Sequence, residues 1–495
     1  MTRACVIGAG LGGLALAIRL QSSGIDTVVV EARDKVGGHA WQRHKDGFTF
    51  CGGPSVISER AELEELWQLS GANLADQVPL LEVAPLRRLN WPDGAQLDMV
   101  RDATAMRRAV ARLAPSDAAG YEDFQRFCQQ IATDGWDGHS RQDGSAVTRT
   151  ARAVPLFLRF QGWRSAYGSV ARFISSEKLC EALTVRLLAE GGNPLKDAAS
   201  SLSNNHRELA DGGWWPQGGA QRLAEGMADL LRSLGGSVRL HDPALQVHTL
   251  GNRAHSVECI SGWEERFDAV ASATDMVHSY RDLLSGTQRG QDMARKLARR
   301  KFGPGLFTVH LGVEGSWPGI PHQTVLFGPR YGGMIEDVFT HGVLPRDQLI
   351  FLNHPSLTDP SLAPAGKSTL SAIVPVANLA QLPIDWEQTG PLLEQRVVAE
   401  IGRRLIPDLD DRLVTAFHVG PRELSLDFSD WAGSPFGARP RLGRYGGFGS
   451  VRDAKLVNFY LVGAASQPGS GLHGVLCAAK DTARQILGDR REQAA

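Results

Sequence analysis

The chain has 495 residues, a net charge of −1 at pH 7 and a pI near 6.9. This length predicts two or three structural units, and the near-neutral charge argues against nucleic acid as a partner. The six cysteines form no Cys-x-x-Cys pair, so we expect ordinary buried thiols in a reducing compartment and no metal site. No run of 18 apolar residues occurs, which argues against a membrane-spanning helix.

The first predicted elements form a strand–helix–strand unit. Buried strands are predicted at residues 4–7 and 27–30, with a helix at 14–22 between them. A Gly-x-Gly-x-x-Gly turn joins the first strand to the helix, and Glu31 ends the second strand. The turn alone would fit an ordinary strand–turn–helix. The four features together are typical of a dinucleotide-binding unit.

Each glycine of this turn has a predicted task. Gly8 makes the tight turn, Gly10 lets a pyrophosphate approach the backbone, and Gly13 lets the helix pack closely on the strand. The N-terminus of the helix directs its backbone N–H groups at the phosphates. Glu31 follows Gly13 by 18 residues, where a carboxylate can bind ribose hydroxyls.

A second glycine turn, Val36-Gly37-Gly38, follows a few residues after the acidic end of the second strand. Such an extension suits flavoproteins, in which it meets the diphosphate of the cofactor. The sequence therefore favours FAD over NAD.

The rest of the chain alternates between two kinds of pattern. Residues 76–205 are mostly helical in pattern, and residues 285–420 form a second block of mixed character. Further elements of the dinucleotide-domain type are predicted at residues 223–234, 237–240, 245–249, 254–260, 267–274, 458–464 and 475–487. We predict an FAD-binding domain from residues 1–75, 210–284 and 425–495. Residues 76–209 and 285–424 are predicted to form a substrate-binding and membrane-associating domain.

Several longer motifs resemble those of the bacterial and fungal phytoene desaturases, a family of FAD-dependent enzymes that act on carotenoids. The similar stretches are residues 8–20, 31–38, 47–57, 191–194, 215–219, 327–331, 358–364 and 461–471. They span essentially the whole chain. The resemblance implies an α/β fold with a glutathione-reductase-type (Rossmann-like) FAD-binding domain built from discontinuous segments. An α+β substrate domain would cap it, with an apolar tunnel leading to the isoalloxazine.

The resemblance also implies cofactor-binding residues. Those implied for the ADP half and the adjoining turns are Gly8, Gly10, Gly13, Glu31, Arg33, Gly37, Gly38 and Gly53. Val247 would lie beside the adenine. The residues implied for the flavin itself are Gly463, Ser470, Gly471 and Val475.

Catalytic candidates are Arg152, Gln467 and His473, which the resemblance brings near the flavin. Arg152 could equally be a surface arginine, and Gln467 and His473 could fill a loop instead of bonding the ring or a substrate hydroxyl. Cys51 could be a covalent flavin anchor, a redox thiol or a small buried residue in a position where the family usually has Asp.

The chain departs from the family pattern at other positions. His39 occupies a position where the family usually has Arg, and residues 200–207 are polar where the family has an apolar, aromatic helix. Because the tunnel lining is more polar, two alternatives for the substrate remain. One is phytoene itself, and the other is an oxygenated carotenoid or another polyene.

Desaturation removes a hydride and a proton from adjacent carbons, and the flavin takes the hydride. A strongly perturbed carboxylate is therefore not required, and Glu62, Glu64 and Glu65 are interpreted as a solvated helix face. Related flavoproteins could instead saturate, oxidise or isomerise an apolar isoprenoid. Oxygen or a quinone is the expected electron acceptor.

Residues 149–173 combine basic and aromatic side chains without an acidic residue. The arginines are Arg149, Arg152, Arg159, Arg164 and Arg172, and they interleave with Leu156, Phe157, Leu158, Phe160, Trp163, Tyr167 and Phe173. Such a segment can lie in an anionic bilayer interface; the alternative is an amphipathic helix packed on the core. We expect an apolar polyene substrate, a cytoplasmic location and peripheral association with the inner face of the cell membrane.

Overall fold

A five-stranded parallel sheet forms the first of two large layers in the computed structural model, which describes residues 2–53, 56–134, 154–439, 453, 455–463 and 471–494. Its strands, in spatial order, are Phe459–Leu461, Ala269–Ser272, Arg3–Ile7, Asp26–Val30 and Ser237–Arg239. Apart from Ser237–Arg239 at one edge, these strands are mostly buried, as parallel strands between covering layers are. The predicted α/β class is confirmed.

Three helices cover one face of the parallel sheet, namely Leu11–Ser22, Ala220–Ser233 and Leu472–Ala494. A three-stranded antiparallel sheet of Ala244–Leu250, Arg253–Cys259 and Glu264–Arg266 covers the other. All five parallel strands fall within the three separate segments predicted for the cofactor domain. The short βαβ unit at the N-terminus lies at the centre of this sheet.

The second layer is a seven-stranded sheet. Its strands, in spatial order, are Leu413–Val419, Gly305–Glu314, Lys367–Val376, Ile350–Asn353, Gln323–Leu326, Arg87–Asn90 and Gln96–Met99. Neighbours are antiparallel except for the parallel pair formed by Gln323–Leu326 and Arg87–Asn90. The helix Trp386–Arg404 packs its apolar side on one face. The other face is free to line a cavity.

A helical cluster packs beside the seven-stranded sheet around its own apolar core. Its helices are Ala103–Leu113, Ala118–Asp134, 154–159, Ala166–Val170, Glu177–Ala189 and Tyr331–Glu336. Side chains cap several of these helices; Asp102, for example, accepts a hydrogen bond from the backbone N–H of Ala105.

Smaller elements connect the layers. The remaining α-helices are Arg60–Gln68, Leu74–Gln77, Ser203–Asp211, Met276–His278, Gln288–Leu297, Pro355–Thr358 and Pro421–Phe428. Two-stranded pairs form between Gln42–Lys45 and Phe48–Cys51, and between Leu80–Glu82 and Trp214–Pro216. None of the helices in the described ranges is both long and apolar enough to cross a bilayer.

The mostly helical pattern predicted for residues 76–205 misses three strands, Leu80–Glu82, Arg87–Asn90 and Gln96–Met99. Each has only three or four residues. Two of them pair with strands more than 100 residues away, Trp214–Pro216 and Gln323–Leu326. Short strands that pair with distant segments show little local hydrophobic periodicity, so the sequence pattern does not reveal them.

Candidate active site

One cavity of about 680 Å³ lies between the two layers, and its walls come from both. Its size falls within the range of small-molecule and cofactor sites. The carboxyl ends of the parallel strands form one wall and the free face of the seven-stranded sheet forms the opposite wall. Ligands of open α/β sheets bind at that end of the strands.

The first glycine turn lies at the cavity wall and has the geometry expected from the sequence. Gly8 has a φ of +103°, which L side chains rarely adopt. A Cβ built on Gly13 would fall 2.0 Å from the Gly8 carbonyl oxygen, so the helix packs too closely for any side chain. A Cβ built on Gly10 would meet nothing within 4 Å. Open space lies where a diphosphate is expected.

The helix Leu11–Ser22 begins beside this open space. Gly10 is its N-cap and makes no side-chain capping bond. The first backbone N–H groups of a helix have no partner within the helix, and together with the helix dipole they favour an anion. The site therefore suits the diphosphate of a dinucleotide.

Glu31 is nearly buried and lines the cavity. Its carboxylate accepts hydrogen bonds from the backbone N–H groups of Ala9, at 2.7 Å, and of Arg33, at 3.0 Å. These bonds hold the carboxylate beside the glycine turn, in the position expected to bind ribose hydroxyls. The Arg33 guanidinium donates to the carbonyl oxygen of Gly38 at 3.1 Å.

The second glycine turn lies against the first. Gly37 pairs with Gly10 in an isolated bridge, and a Cβ built on Gly38 would fall 3.3 Å from the Gly10 Cα. Both Gly37 and Gly38 have positive φ, at +120° and +56°. The two turns thus face the same open space from adjacent positions.

His39 follows the second turn and lines the same cavity. Its imidazole stacks on Phe428 with ring centroids 5.0 Å apart, and its Nε2 lies 2.7 Å from Asp430 Oδ2. Burial opposes protonation, but the Asp430 carboxylate outweighs it and raises the pKa of His39. His39 is therefore more easily protonated than an ordinary histidine, at the position where the family usually has Arg.

The C-terminal segment reaches the cavity from the other side of the first helix. A Cβ built on Gly12 would fall 2.8 Å from Val475 Cγ1 and 3.3 Å from the Gly463 Cα. Gly463, Gly471 and Val475 all line the cavity. The predicted residues Arg152, Gln467 and Ser470 lie outside the described residues.

His473 lies in the first turn of the last helix and lines the cavity. Its Nδ1 lies 3.2 Å from Glu62 Oε1 and its Nε2 lies 2.9 Å from Arg207 Nη1. The imidazole thus bridges a carboxylate and a guanidinium. Glu65 pairs with Lys480 of the same helix at 2.9 Å. Glu62 and Glu65 keep 32% and 35% of their side-chain surface exposed, so the predicted face is partly solvated, and the C-terminal helix docks on it through these ion pairs.

The structure also places Gly53 and Val247, two residues predicted to bind the cofactor. Gly53 lines the cavity close to Ala40. Val247 does not line it: the side chain is fully buried, opposite Val257 in the antiparallel sheet. Because that sheet packs on the parallel sheet, Val247 faces the core, and Ala244 of the same strand lines the cavity instead.

Cys51 lines the cavity near Gln42. Burial raises the pKa of the thiol to about 12. The side chain is therefore neutral at physiological pH, which disfavours a reactive thiolate.

Sequence reasoning missed a buried ion network in the cavity wall. The Arg186 guanidinium lies 3.1 Å from Glu208 and 2.9 Å from Glu190, and Glu208 also pairs with Arg87. The two guanidinium groups lower the pKa of Glu208 although its burial opposes this. Burial raises the pKa of Glu59, which lies 3.9 Å from Arg186.

The polar stretch 200–207 contributes to this wall. Asn204 lines the cavity and donates a hydrogen bond to Glu190 at 3.1 Å. The polar side chain of Asn204 is therefore part of the ion network. The residues of the ion network come from four separate elements. No local sequence motif therefore indicates that they meet.

The opposite wall is the free face of the seven-stranded sheet. Its apolar side chains are Leu306, Val325, Phe351, Ile373 and Pro375, and a parallel row of polar side chains consists of His310, Ser371, Asn353 and Gln323. Apolar surface thus faces the dinucleotide turns across one continuous space.

The sequence profile described as flavin containing amine oxidoreductase matches residues 11–487. Among curated relatives, the lycopene-forming phytoene desaturases of Paracoccus sp. (strain N81106 / MBIC 01143) and Pseudescherichia vulneris are each 37% identical, over 487 and 490 residues. The alignments cover 98% and 99% of this chain and 97% and 100% of those proteins.

Two solved structures show the same fold at low identity. An oxidoreductase from Methanosarcina mazei aligns with 98% of this chain and 100% of its own, with a TM-score of 0.65 and 14% identity. Cyclohexylamine oxidase from Brevibacterium oxydans IH-35A aligns with 99% of each chain, with a TM-score of 0.62 and 16% identity.

The family match identifies the cofactor as a flavin, and the two glycine turns with their open space fit the diphosphate of a flavin dinucleotide. The sequence resemblance is confirmed over nearly the full length. The chain therefore belongs to the phytoene desaturase family, within the flavin containing amine oxidoreductases.

Proposed function

We propose that the chain is an FAD-dependent desaturase that introduces double bonds into a carotenoid precursor such as phytoene or a related polyene, oxygenated polyenes included. The observation that carries this proposal is the cavity between the two layers. It joins a dinucleotide-binding turn to an apolar sheet face. Relatives named phytoene desaturase match 98% and 99% of the chain.

FAD is proposed as the specific flavin because the cavity provides for both halves of a dinucleotide. Gly10 and Gly38 leave room for the diphosphate, and Glu31 is held beside them for the ribose of the adenosine half. Gly463 and Gly471 line the far side, where the flavin ring would lie.

When bound, FAD supplies the acceptor for the hydride that leaves one carbon of the substrate. The protein itself has three roles in the reaction. Phe351 and Ile373, with their apolar neighbours, hold the polyene against the ring and exclude water. The helix N-terminus after Gly10 anchors the diphosphate. The proton from the neighbouring carbon goes to a carboxylate of the cavity wall, and oxygen or a quinone then accepts the electrons.

We also propose that the protein collects its substrate from the cytoplasmic face of the membrane. Val154, Leu158 and Trp163 expose half or more of their surface, and Arg159 and Arg164 are exposed beside them. Exposed apolar side chains flanked by arginines suit an anionic bilayer surface. Other side chains of the same segment pack on the helical core, which would hold the exposed ones in place.

The membrane proposal is tested by sedimentation with vesicles that contain anionic lipid. The double variant Leu158→Ser, Trp163→Ser is expected to bind several-fold more weakly than the wild type. Leu426→Ser, which removes an even more exposed leucine elsewhere, is the control and should bind normally. Equal binding of all three proteins would refute this surface as the anchor.

Incubation of the FAD-loaded protein with phytoene in vesicles tests the desaturase proposal. Products that absorb at longer wavelength are expected, and their separation counts the double bonds formed. Products that absorb at shorter wavelength would indicate saturation instead. An unchanged double-bond count with altered geometry would indicate isomerisation.

A further inference from the structure

A polar row crosses the free face of the seven-stranded sheet. His310 lies directly opposite Ser371, Ser371 opposite Asn353, and Asn353 opposite Gln323. All four residues line the cavity. Three steps between adjacent strands make the row about 14 Å long. Polar side chains in line across four strands are unexpected on a wall that otherwise holds an apolar chain.

His310 is the end of this row and the most buried member, with 1% of its surface exposed. Its Nδ1 shares a hydrogen bond of 2.9 Å with Ser371 Oγ. Its Nε2 is buried and has no hydrogen-bond partner within the described part of the chain. Buried polar atoms in native proteins nearly always have a partner. The free nitrogen therefore points to a ligand in the cavity.

Aromatic rings hold the imidazole in place. Phe417 stacks on it at 4.8 Å, and Trp41 and Phe50 approach it edge-on at 5.3 and 5.8 Å. Burial lowers the pKa of His310 to about 3, so the ring is neutral at physiological pH. Ser371, Asn353 and Gln323 are neutral too. The row offers hydrogen bonds without charge, which suits a hydroxyl or carbonyl and disfavours a carboxylate or phosphate.

On three of the four strands the neighbouring position is apolar, and on the fourth it is Thr308. Two residues along from His310, Ser371, Asn353 and Gln323 come Thr308, Ile373, Phe351 and Val325, in the same register. Two residues correspond to about 7 Å along a strand. A long apolar molecule lying along the strands would therefore pass from an apolar floor to the polar row.

We propose that the polar row, through the free Nε2 of His310, binds an oxygen atom near one end of the polyene, so that the substrates of this enzyme include oxygenated polyenes. A hydroxyl serves either tautomer of the imidazole, since it both donates and accepts. This inference rests on the proposed function, because it names the substrate class of the same cavity.

The test compares two substrates of equal chain length, one with a terminal hydroxyl and one without oxygen, on the FAD-loaded full-length protein. His310→Phe keeps a planar ring and removes both nitrogens. It is expected to raise KM for the hydroxylated polyene about fivefold to tenfold, the loss of one neutral hydrogen bond. KM for the hydrocarbon should stay unchanged or fall. His44→Phe, at an exposed histidine outside the cavity, is the control and should change neither.

Ser371→Ala provides a second variant that leaves the imidazole in place and frees its Nδ1. It is expected to weaken selection for the hydroxylated substrate in the same direction. Equal changes for both substrates, or none, in either variant would overturn the proposed oxygen site. A wild type that turns over no polyene would instead refute the desaturase function. Equilibrium binding of the two polyenes to wild type and variants would then still decide the role of the row.

Discussion

Substituting Gly10 with alanine separates cofactor binding from folding. Gly10 has φ −68° and ψ 171°, a conformation that alanine adopts freely. A Cβ built there meets no protein atom within 4 Å. Gly10→Ala should therefore change the stability of the cofactor-free protein by less than about 1 kcal/mol, because alanine restricts the unfolded chain but is a poorer N-cap residue than glycine.

The same methyl group would occupy the space assigned to the diphosphate. A hydrogen bond to a charged group contributes about 1.5–3 kcal/mol. If the methyl group displaces the diphosphate, one such bond to the helix N-terminus is lost. The Kd for FAD then rises roughly tenfold to hundredfold. Without FAD the variant should thus be about as stable as the wild type, but it should bind FAD much more weakly.

Urea unfolding of the cofactor-free proteins and titration of FAD by fluorescence quenching measure the two effects. Gly13→Ala is the matched comparison, because its Cβ would fall 2.0 Å from the Gly8 carbonyl oxygen. It should destabilise the fold by about 1–3 kcal/mol. Wild-type affinity for FAD in Gly10→Ala would refute the diphosphate position.

Arg186→Met removes the centre of the buried ion network and should destabilise the protein by about 3–5 kcal/mol in urea unfolding. Arg107→Met, at an exposed pair, should change stability by less than about 1 kcal/mol, and similar losses in both variants would contradict the argument. The raised pKa of His39 means that its charge is present below that pKa and is lost as pH rises through it. FAD affinity should therefore weaken with rising pH in the wild type and lose this dependence in His39→Gln; equal slopes would exclude His39. Acid precipitation should release the flavin into the supernatant, since the Cys51 thiol is neutral, and flavin retained in the pellet would indicate a covalent bond.

The βαβ unit and both glycine turns could be predicted because their residues are consecutive in the chain. Local spacing fixes the turn at Gly8, the close packing at Gly13 and the position of Glu31. The flavin family followed from such local motifs, and the comparisons bear it out. Val247 could not be positioned in this way, because the packing of one sheet on another decides which of its residues reaches the cavity.

The ion network and the polar row were beyond sequence reasoning. Arg87, Arg186 and Glu208 meet only through the fold, across up to 121 residues of chain. The alignment of His310 with Asn353 depends on the register of three strands. In each case the residues come from separate segments, and the local pattern of each segment gave no sign of a common partner.

The central claim is that this cavity brings a polyene against the flavin. Anaerobic mixing of the FAD-loaded protein with phytoene in vesicles tests it directly. Loss of the visible flavin absorbance is expected, with one new double bond formed for each flavin reduced. Flavin that remains oxidised in the presence of phytoene and of hydroxylated polyenes would contradict the account.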